Sequence, residues 1–357
     1  MSHSSEVMSL KVDTKPVAVD MTQINQHGWP FNAEFFPSTS WQAKAVSLAM
    51  RRVVKPTVSR VRFTPRTMKF SQLFFDTITL ALPINTEAHI SPAHHGGIAG
   101  EWLSAGRDIV SGRVMLYFHG GGYFFGSPRS HRALTWRLSK VCRTKVIALD
   151  YRQPPDWQYP APLEDAVGAY KMLLNRGYDP KNIVFAGDSA GGNLVLATLL
   201  KLREKGMPLP GAGVLISPWT DLSCSGESVT TNADVDQMIP VKALRFISRS
   251  YSKESHARDP FISPVYADLT GLPPLFIQVS STEVLYDDAV RIAENARAAG
   301  VPCRLQVWDK MMHVFQILAV AMPEAEKAVN EIGMFVRSTL DGESPRRRRR
   351  ARLLIPV

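Results

Sequence analysis

The chain has 357 residues, 45% hydrophobic and 21% charged, the balance of an ordinary globular protein with room for one large domain and a lid or for two small domains. Three scattered cysteines, Cys142, Cys224 and Cys303, spell neither a disulfide framework nor a metal motif, and no window approaches 18 uninterrupted apolar residues, so no transmembrane helix is expected. The net charge is +10, but the last 13 residues hold six arginines and no acid, which leaves +4 for the rest and little argument for a nucleic-acid partner.

The N-terminus lacks a basic start followed by an apolar run and does not read as a signal peptide. With the cysteines read as buried free thiols, this predicts a cytoplasmic protein. Residues 1–25 are polar and aperiodic and read as a disordered leader. Residues 26–65 carry Trp29, Phe31, Phe35, Phe36 and Trp41. The stretch from Trp41 to Val54 has helical spacing without Pro or Gly, so this region is expected to form N-terminal cap helices.

From about Thr67 the pattern changes to short apolar runs broken by turns. Buried strands are predicted at 113–118, 145–149, 183–186, 214–216, 275–279 and 304–308. Near-continuous apolar strands suit a parallel sheet covered on both faces. Helical patterns lie between them, at 131–142, 163–176, 191–205, 286–299 and 323–340. The alternation predicts a doubly wound α/β fold over 66–219 and 263–342. Residues 220–262 are polar and strand-poor, and read as a cap insertion with a helix within 238–251. Residues 343–357 are disordered by composition. That tail is either a solvated extension or a weak contact for anionic surfaces.

Gly187-Asp188-Ser189-Ala190-Gly191 follows one predicted strand and opens the next helix, the setting that a G-x-S-x-G nucleophile requires. Read blandly, the same five residues are a serine N-cap on a glycine-rich turn. The second motif, His119-Gly120-Gly121-Gly122, lies 70 residues upstream and also follows a strand. Adjacent glycines let backbone approach a substrate and present bare N–H donors, which acyl transfer needs for its oxyanion.

These motifs resemble the hormone-sensitive-lipase-like branch of the α/β-hydrolases, and the resemblance spans roughly residues 29–340. Asp150-Tyr151-Arg152, Tyr159 to Ala166 and Ser217-Pro218-Trp219-Thr220-Asp221-Leu222 add to it. The bacterial members it resembles most are monoterpene lactone hydrolases and acetyl hydrolases. The resemblance implies an α/β-hydrolase fold, Ser189 as nucleophile and oxyanion donors at Gly121, Gly122 and Ala190.

In this fold the order along the chain is serine, acid, histidine. Only His256 and His313 follow Ser189. His256 lies in a solvated stretch of the cap, so His313, just after the last strand, is the expected base. The acid candidates are Glu283, Asp287, Asp288, Glu294 and Asp309. Glu294 is expected to face solvent, and Asp309 is too close in sequence to His313. Asp287 and Asp288 fit a helix first turn. Glu283 falls in the loop after a strand, where the catalytic groups of parallel sheets gather. The family's usual Asp-Pro-Leu-x-Asp aligns with Glu283-Val284-Leu285-Tyr286-Asp287, a departure that puts Glu283 first and Asp287 second.

Tyr123, Phe124, Phe125, Trp219, Met238, Ile239 and Phe246 are the candidate pocket residues. A small helical cap favours short-chain acyl esters or a lactone over triglyceride emulsions. No metal cluster, P-loop or dinucleotide fingerprint is present, so no cofactor and no metal are expected. The alternatives are a non-catalytic receptor on the same fold, a thioesterase or a peptidase. The sequence leaves the oligomeric state open, with a homodimer one option.

Overall fold

The computed structural model describes residues 33–61, 88–95 and 97–342, with positions 64, 66, 67, 69, 70, 73 and 77. The expected leader (1–25) and arginine tail (343–357) lie outside the described residues. The strands are β1 (Glu34–Phe36), β2 (His89–His95), β3 (Ile98–Ser104), β4 (Val114–Phe118), β5 (Lys145–Leu149), β6 (Ile183–Asp188), β7 (Ala212–Ile216), β8 (Leu275–Ser280) and β9 (Cys303–Trp308). Among the described residues they form one nine-stranded sheet in the order β1-β9-β8-β7-β6-β4-β5-β3-β2. Pairing is parallel from β1 through to β5 and antiparallel for β5–β3 and β3–β2.

The central strands β4, β6, β7 and β8 are buried along their whole length. That is why they read as continuous apolar runs rather than as alternating ones. Helical segments with defined bounds accompany the sheet, apart from short 3-10 turns. They are α1 (Trp41–Ala49), a π-helical turn (Met50–Val54), α2 (Lys55–Arg60), α3 (Arg132–Cys142), α4 (Ala161–Asn175), α5 (Ala190–Glu204), α6 (Ser228–Thr231), α7 (Val241–Tyr251), α8 (Tyr286–Ala298) and α9 (Pro323–Leu340). Leu134 and Leu138 of α3 share a core with Met115, Val146, Val184, Ile332 and Val336.

Three strands depart from the expected pattern. Glu34–Phe36 lies where only helices were predicted, and it extends the sheet beside β9. Glu34 forms a two-pronged ion pair with Arg304 at 2.7 and 2.6 Å, and Phe36 stacks on Trp308 at 4.2 Å. Three residues are too few to show a period, so this strand is set by its partner. The β2–β3 hairpin was also unforeseen, because β2 is polar and holds Pro92, as edge strands do. Of the three free thiols, Cys142 is buried as expected, whereas Cys224, in the loop between β7 and Ser228, and Cys303, at the start of β9, are only half-buried.

Residues 220–262 contain α6 and α7 and no strand, as expected. The helical run expected from Trp41 is continuous through Arg60. Ser40 caps it by accepting the Ala43 N–H at 3.1 Å, and Glu324 of α9 accepts both the Ser40 N–H and its hydroxyl. Among the described residues no helix is long and apolar enough to cross a membrane.

Candidate active site

Ser189 sits between β6 and α5 with φ 53° and ψ −119°, a conformation L-residues rarely adopt. The turn is so tight that a Cβ on Gly191 would lie 2.0 Å from the Phe118 carbonyl oxygen. Three backbone bonds hold the serine in place: its N–H donates to Ile216 O at 2.8 Å, and its carbonyl accepts the N–H groups of Trp219 at 3.0 Å and Asn193 at 3.2 Å. Among the described residues its hydroxyl has no hydrogen-bond partner, and the residue is only 8% exposed. The hydroxyl is thus displayed at the C-terminal edge of the sheet, at the positive end of α5.

The glycine loop after β4 faces it. Gly121 has φ 110°, and its carbonyl accepts the N–H groups of Phe124 and Phe125 at 3.1 Å each, folding the loop back on itself. The N–H groups of Gly121, Gly122 and Ala190 have no intramolecular acceptor among the described residues. They are therefore free to donate to a ligand.

Asp188 joins the two motifs. Its buried carboxylate accepts the Gly120 N–H at 2.9 Å and the Tyr117 hydroxyl at 2.5 Å, and lies 3.4 Å from His131 Nε2. Burial alone would raise its pKa, but His131 and the hydrogen bond from Tyr117 outweigh this and hold it below the ordinary carboxylate value. His119 is fully buried and, mainly through desolvation, drops from 6.5 to about 3. It is therefore neutral, and its Nδ1–H donates to Gly120 O at 2.8 Å while its ring stacks on Tyr151. The loop is thus fixed by uncharged or fully paired groups rather than by free side chains.

His313 and Glu283 lie across the turn that follows β7. His313 Nδ1 is 2.5 Å from Glu283 Oε2, and both residues are buried. Glu283 Oε1 accepts the Ser217 hydroxyl at 2.8 Å and the Ser280 N–H at 2.7 Å. A carboxylate so placed fixes the proton on Nδ1 and leaves Nε2 as the basic nitrogen. Burial lowers the pKa of His313, but the Glu283 charge outweighs it, with help from Asp236 and Asp188, and the net shift is upward. Ser217 adjoins Ile216, which accepts the Ser189 N–H, and its own hydroxyl also accepts the Val314 N–H at 3.3 Å. One turn therefore touches the serine, the acid and the histidine segments.

The departure from Asp-Pro to Glu283-Val284 has a structural counterpart. The longer glutamate arm folds back onto the N–H that ends β8. Val284 supplies an N–H that proline would lack, and it donates to Asp236 Oδ2 at 2.8 Å. Asp236 also accepts the N–H groups of Met238 and Ile239 at 2.7 and 2.8 Å. Asn232 donates to the carbonyl of Glu283 at 2.8 Å. Segment 228–239 thus straps down the loop that carries Glu283.

The remaining acid candidates lie elsewhere. Asp287 accepts the Ser228 N–H at 2.8 Å, and Asp309 accepts the Ser281 hydroxyl at 3.0 Å. Asp288 is buried and accepts the Thr220 and Asp221 N–H groups. Glu294 was expected to face solvent but is half-buried, and burial raises its pKa. His256 is exposed, as expected. Sequence reasoning passed over Asp188, Ser217 and Asp236. Asp188 was legible as the variable position of the serine motif and Ser217 as the first residue of the 217–222 motif, but Asp236 had no signal short of the fold.

Tyr123 is fully buried, its hydroxyl on Asn193 at 2.9 Å and its ring stacked on Tyr251 at 3.8 Å. Phe124 and Trp219 are also buried, and the Trp219 indole N–H donates to Asp221 O at 3.2 Å. Phe125, Met238, Ile239 and Phe246 are half-buried. Ile247 of α7, not foreseen, packs against the glycine loop: its methyl carbons lie 3.1–3.3 Å from where a Cβ on Gly122 would stand. Among the described residues no group of three or more His, Cys, Asp or Glu side chains could hold a metal ion.

The fold recurs in known proteins. The alpha/beta hydrolase fold family matches residues 115–317. An acetyl-hydrolase of Streptomyces hygroscopicus is 44% identical over 248 residues, 70% of this chain and 82% of that protein. An esterase of Acinetobacter venetianus is 31% identical over 301 residues, 84% of this chain and 97% of that one. The crystal structure of an esterase from the bacterial hormone-sensitive lipase family superposes with a TM-score of 0.79 at 39% identity, covering 85% of this chain and 99% of that one. The chain belongs to the α/β-hydrolase family, within the esterases related to hormone-sensitive lipase.

Proposed function

We propose that this carboxylesterase works through Ser189 as nucleophile, His313 as general base and Glu283 as the acid that orients it. The observation that carries this reading is the Glu283–His313 pair at 2.5 Å, in which Nδ1 is committed and Nε2 is left to take a proton. Ser189 Oγ bonds to the ester carbonyl carbon as its proton passes to Nε2. The resulting oxyanion is held by the N–H groups of Gly121, Gly122 and Ala190. Collapse of the intermediate breaks the bond to the alkoxy oxygen, which leaves as the alcohol with the proton from Nε2. A water, deprotonated by His313, then attacks the acyl-enzyme and releases the acid.

Residues 33–61 and 220–262 serve as the cap in this reading, over a catalytic domain made of the remaining described residues. Phe125, Met238, Ile239 and Phe246 supply its apolar wall, with Tyr123, Phe124 and Trp219 behind them. Ile247 against the glycine loop narrows the space at the oxyanion and favours a short acyl group. The name of the Streptomyces relative, an acetyl-hydrolase, agrees with this. A lactone would pass through the same steps.

A fluorophosphonate should label the wild type at Ser189 and leave Ser189→Ala unlabelled. With p-nitrophenyl esters of increasing chain length, kcat/KM should fall beyond a short acyl group. Equal turnover of long chains would refute the cap reading and leave the triad standing, whereas labelling of Ser189→Ala would refute the nucleophile.

A further inference from the structure

The positive charge of this chain is unevenly placed along its sequence. Between Phe35 and Phe75 the sequence holds eight lysines and arginines and no acid. The +10 total, less these eight and the six of the tail, leaves −4 for everything else. Within the described part of this run, Lys44, Arg51, Arg52, Lys55 and Arg60 lie on α1, the π-turn and α2. Lys55 is held by the carbonyls of Ala233 and Asp236 at 2.7 Å each. Among the described residues the other four have no carboxylate partner.

The same helical run carries apolar side chains on both of its faces. Ala43, Val46 and Met50 turn inward and pack against the core. Trp41, Leu48 and Val53 turn outward and are 73%, 54% and 63% exposed. Trp41, Lys44, Ala45, Leu48 and Arg52 follow the i, i+3, i+4, i+7, i+11 spacing of one helical face. A large indole, a leucine and a valine in water, interleaved with unpaired cations, form a basic amphipathic surface. Such a surface gains from a partner that is both anionic and apolar.

We propose that the outer face of α1 and the π-turn is a docking surface for an anionic lipid bilayer, with Trp41, Leu48 and Val53 entering the headgroup boundary and Lys44, Arg51 and Arg52 meeting the phosphates. Nucleic acid would engage the cations but gain nothing from Leu48 and Val53. A neutral apolar partner would leave the cations desolvated and unpaired. The surface is tied to the catalytic loops through Lys55, because the segment it grips, 233–236, also binds the Val284 N–H. Docking would thus hold the candidate active site of the enzyme beside a lipid phase, where apolar esters concentrate.

The test is co-sedimentation of the full chain with vesicles of phosphatidylcholine alone and of phosphatidylcholine with phosphatidylglycerol. Binding is read without turnover, so its outcome is separate from that of the esterase mechanism. The bound fraction should be at least about five-fold higher on the anionic vesicles and should be lost at about 0.5 M salt. The double variant Trp41→Ser with Leu48→Ser should weaken partitioning by about ten-fold, as should Arg51→Gln with Arg52→Gln. Neither pair should alter the thermal midpoint. Truncation after Ser344 should leave this share of binding in place. Equal binding to both vesicles, or complete loss of binding on truncation, would overturn the proposal. So would a shift from dimer to monomer in the Trp41/Leu48 variant, which would assign the face to a second copy of the chain. Retention on an oligonucleotide that the Trp41/Leu48 variant leaves unchanged, with no vesicle binding, would assign it to nucleic acid.

Discussion

Glu283 and Val284 are coupled choices. The glutamate reaches back to Ser280 N–H and Ser217 while its other oxygen meets His313, and the valine N–H anchors the loop to Asp236. Val284→Pro is therefore expected to leave a buried carboxylate oxygen short of its donor. It should cost about 1–3 kcal/mol, read by urea denaturation. The histidine has a testable pH signature. Its pKa is raised above the ordinary 6.5 once the Glu283 charge has overcome the opposing effect of burial. In the proposed mechanism His313 must be neutral, so the acid limb of kcat/KM should lie above pH 6.5 and move down in Glu283→Gln as its rate drops. An unmoved limb in that variant would assign the limb to another group. The sign for stability is the reverse: the pairing stabilises the fold below the unfolded value and is lost as pH rises through the folded one.

At the scale of elements, the site is made by strand ends and by the turns that leave them. β6 delivers Ser189, the turn after β7 delivers Ser217, the loop after β8 delivers Glu283, and the segment after β9 delivers His313. The β6–α5 turn is the least tolerant of these. A methyl group on Gly191 would sit 2.0 Å from backbone oxygen, which no side-chain adjustment can relieve. Gly191→Ala is expected to fail to yield folded protein, judged by solubility and circular dichroism. A soluble, active variant would mean the turn has slack that the geometry denies. The strap at 228–239 is of a different kind, since it holds the acid loop through hydrogen bonds that water could partly replace. Asp236→Asn should fold, lower the thermal midpoint and lower kcat more than it raises KM. An unchanged kcat would leave the strap with a purely structural role.

Across the whole molecule, acid stability is set by carboxylates whose pKa values fall below the ordinary range. Asp188, Asp221 and Glu324 are all depressed, each because hydrogen bonds or nearby cations outweigh desolvation. Their contribution is complete above the ordinary carboxylate values and is lost as pH falls through the folded ones. Asp288 runs the other way: burial, with Asp221 nearby, pushes it well above 3.8. Its ionised form is penalised at neutral pH, so Asp288→Asn should raise the thermal midpoint at pH 7 and give no gain near pH 4.

Much of this fold was written locally. The fully buried central strands have no polar face to interrupt them, so apolar runs marked β4 to β9 within a residue or two. Ser189 and the glycines of 119–122 were legible because strained turns accept few residue types. His313 was singled out by chain order, and Glu283 by its place in the loop after a strand together with a resemblance whose own aspartate it replaces. What the tertiary structure decided concerns groups that act through distant partners. Asp188 joins two motifs 70 residues apart, Ser217 spans the serine, acid and histidine segments, and Asp236 anchors a loop 48 residues away. β1 exists only because β9 offers it an open edge. Local sequence sets backbone strain and the burial pattern; which polar group satisfies which other is settled only when the chain has brought them together.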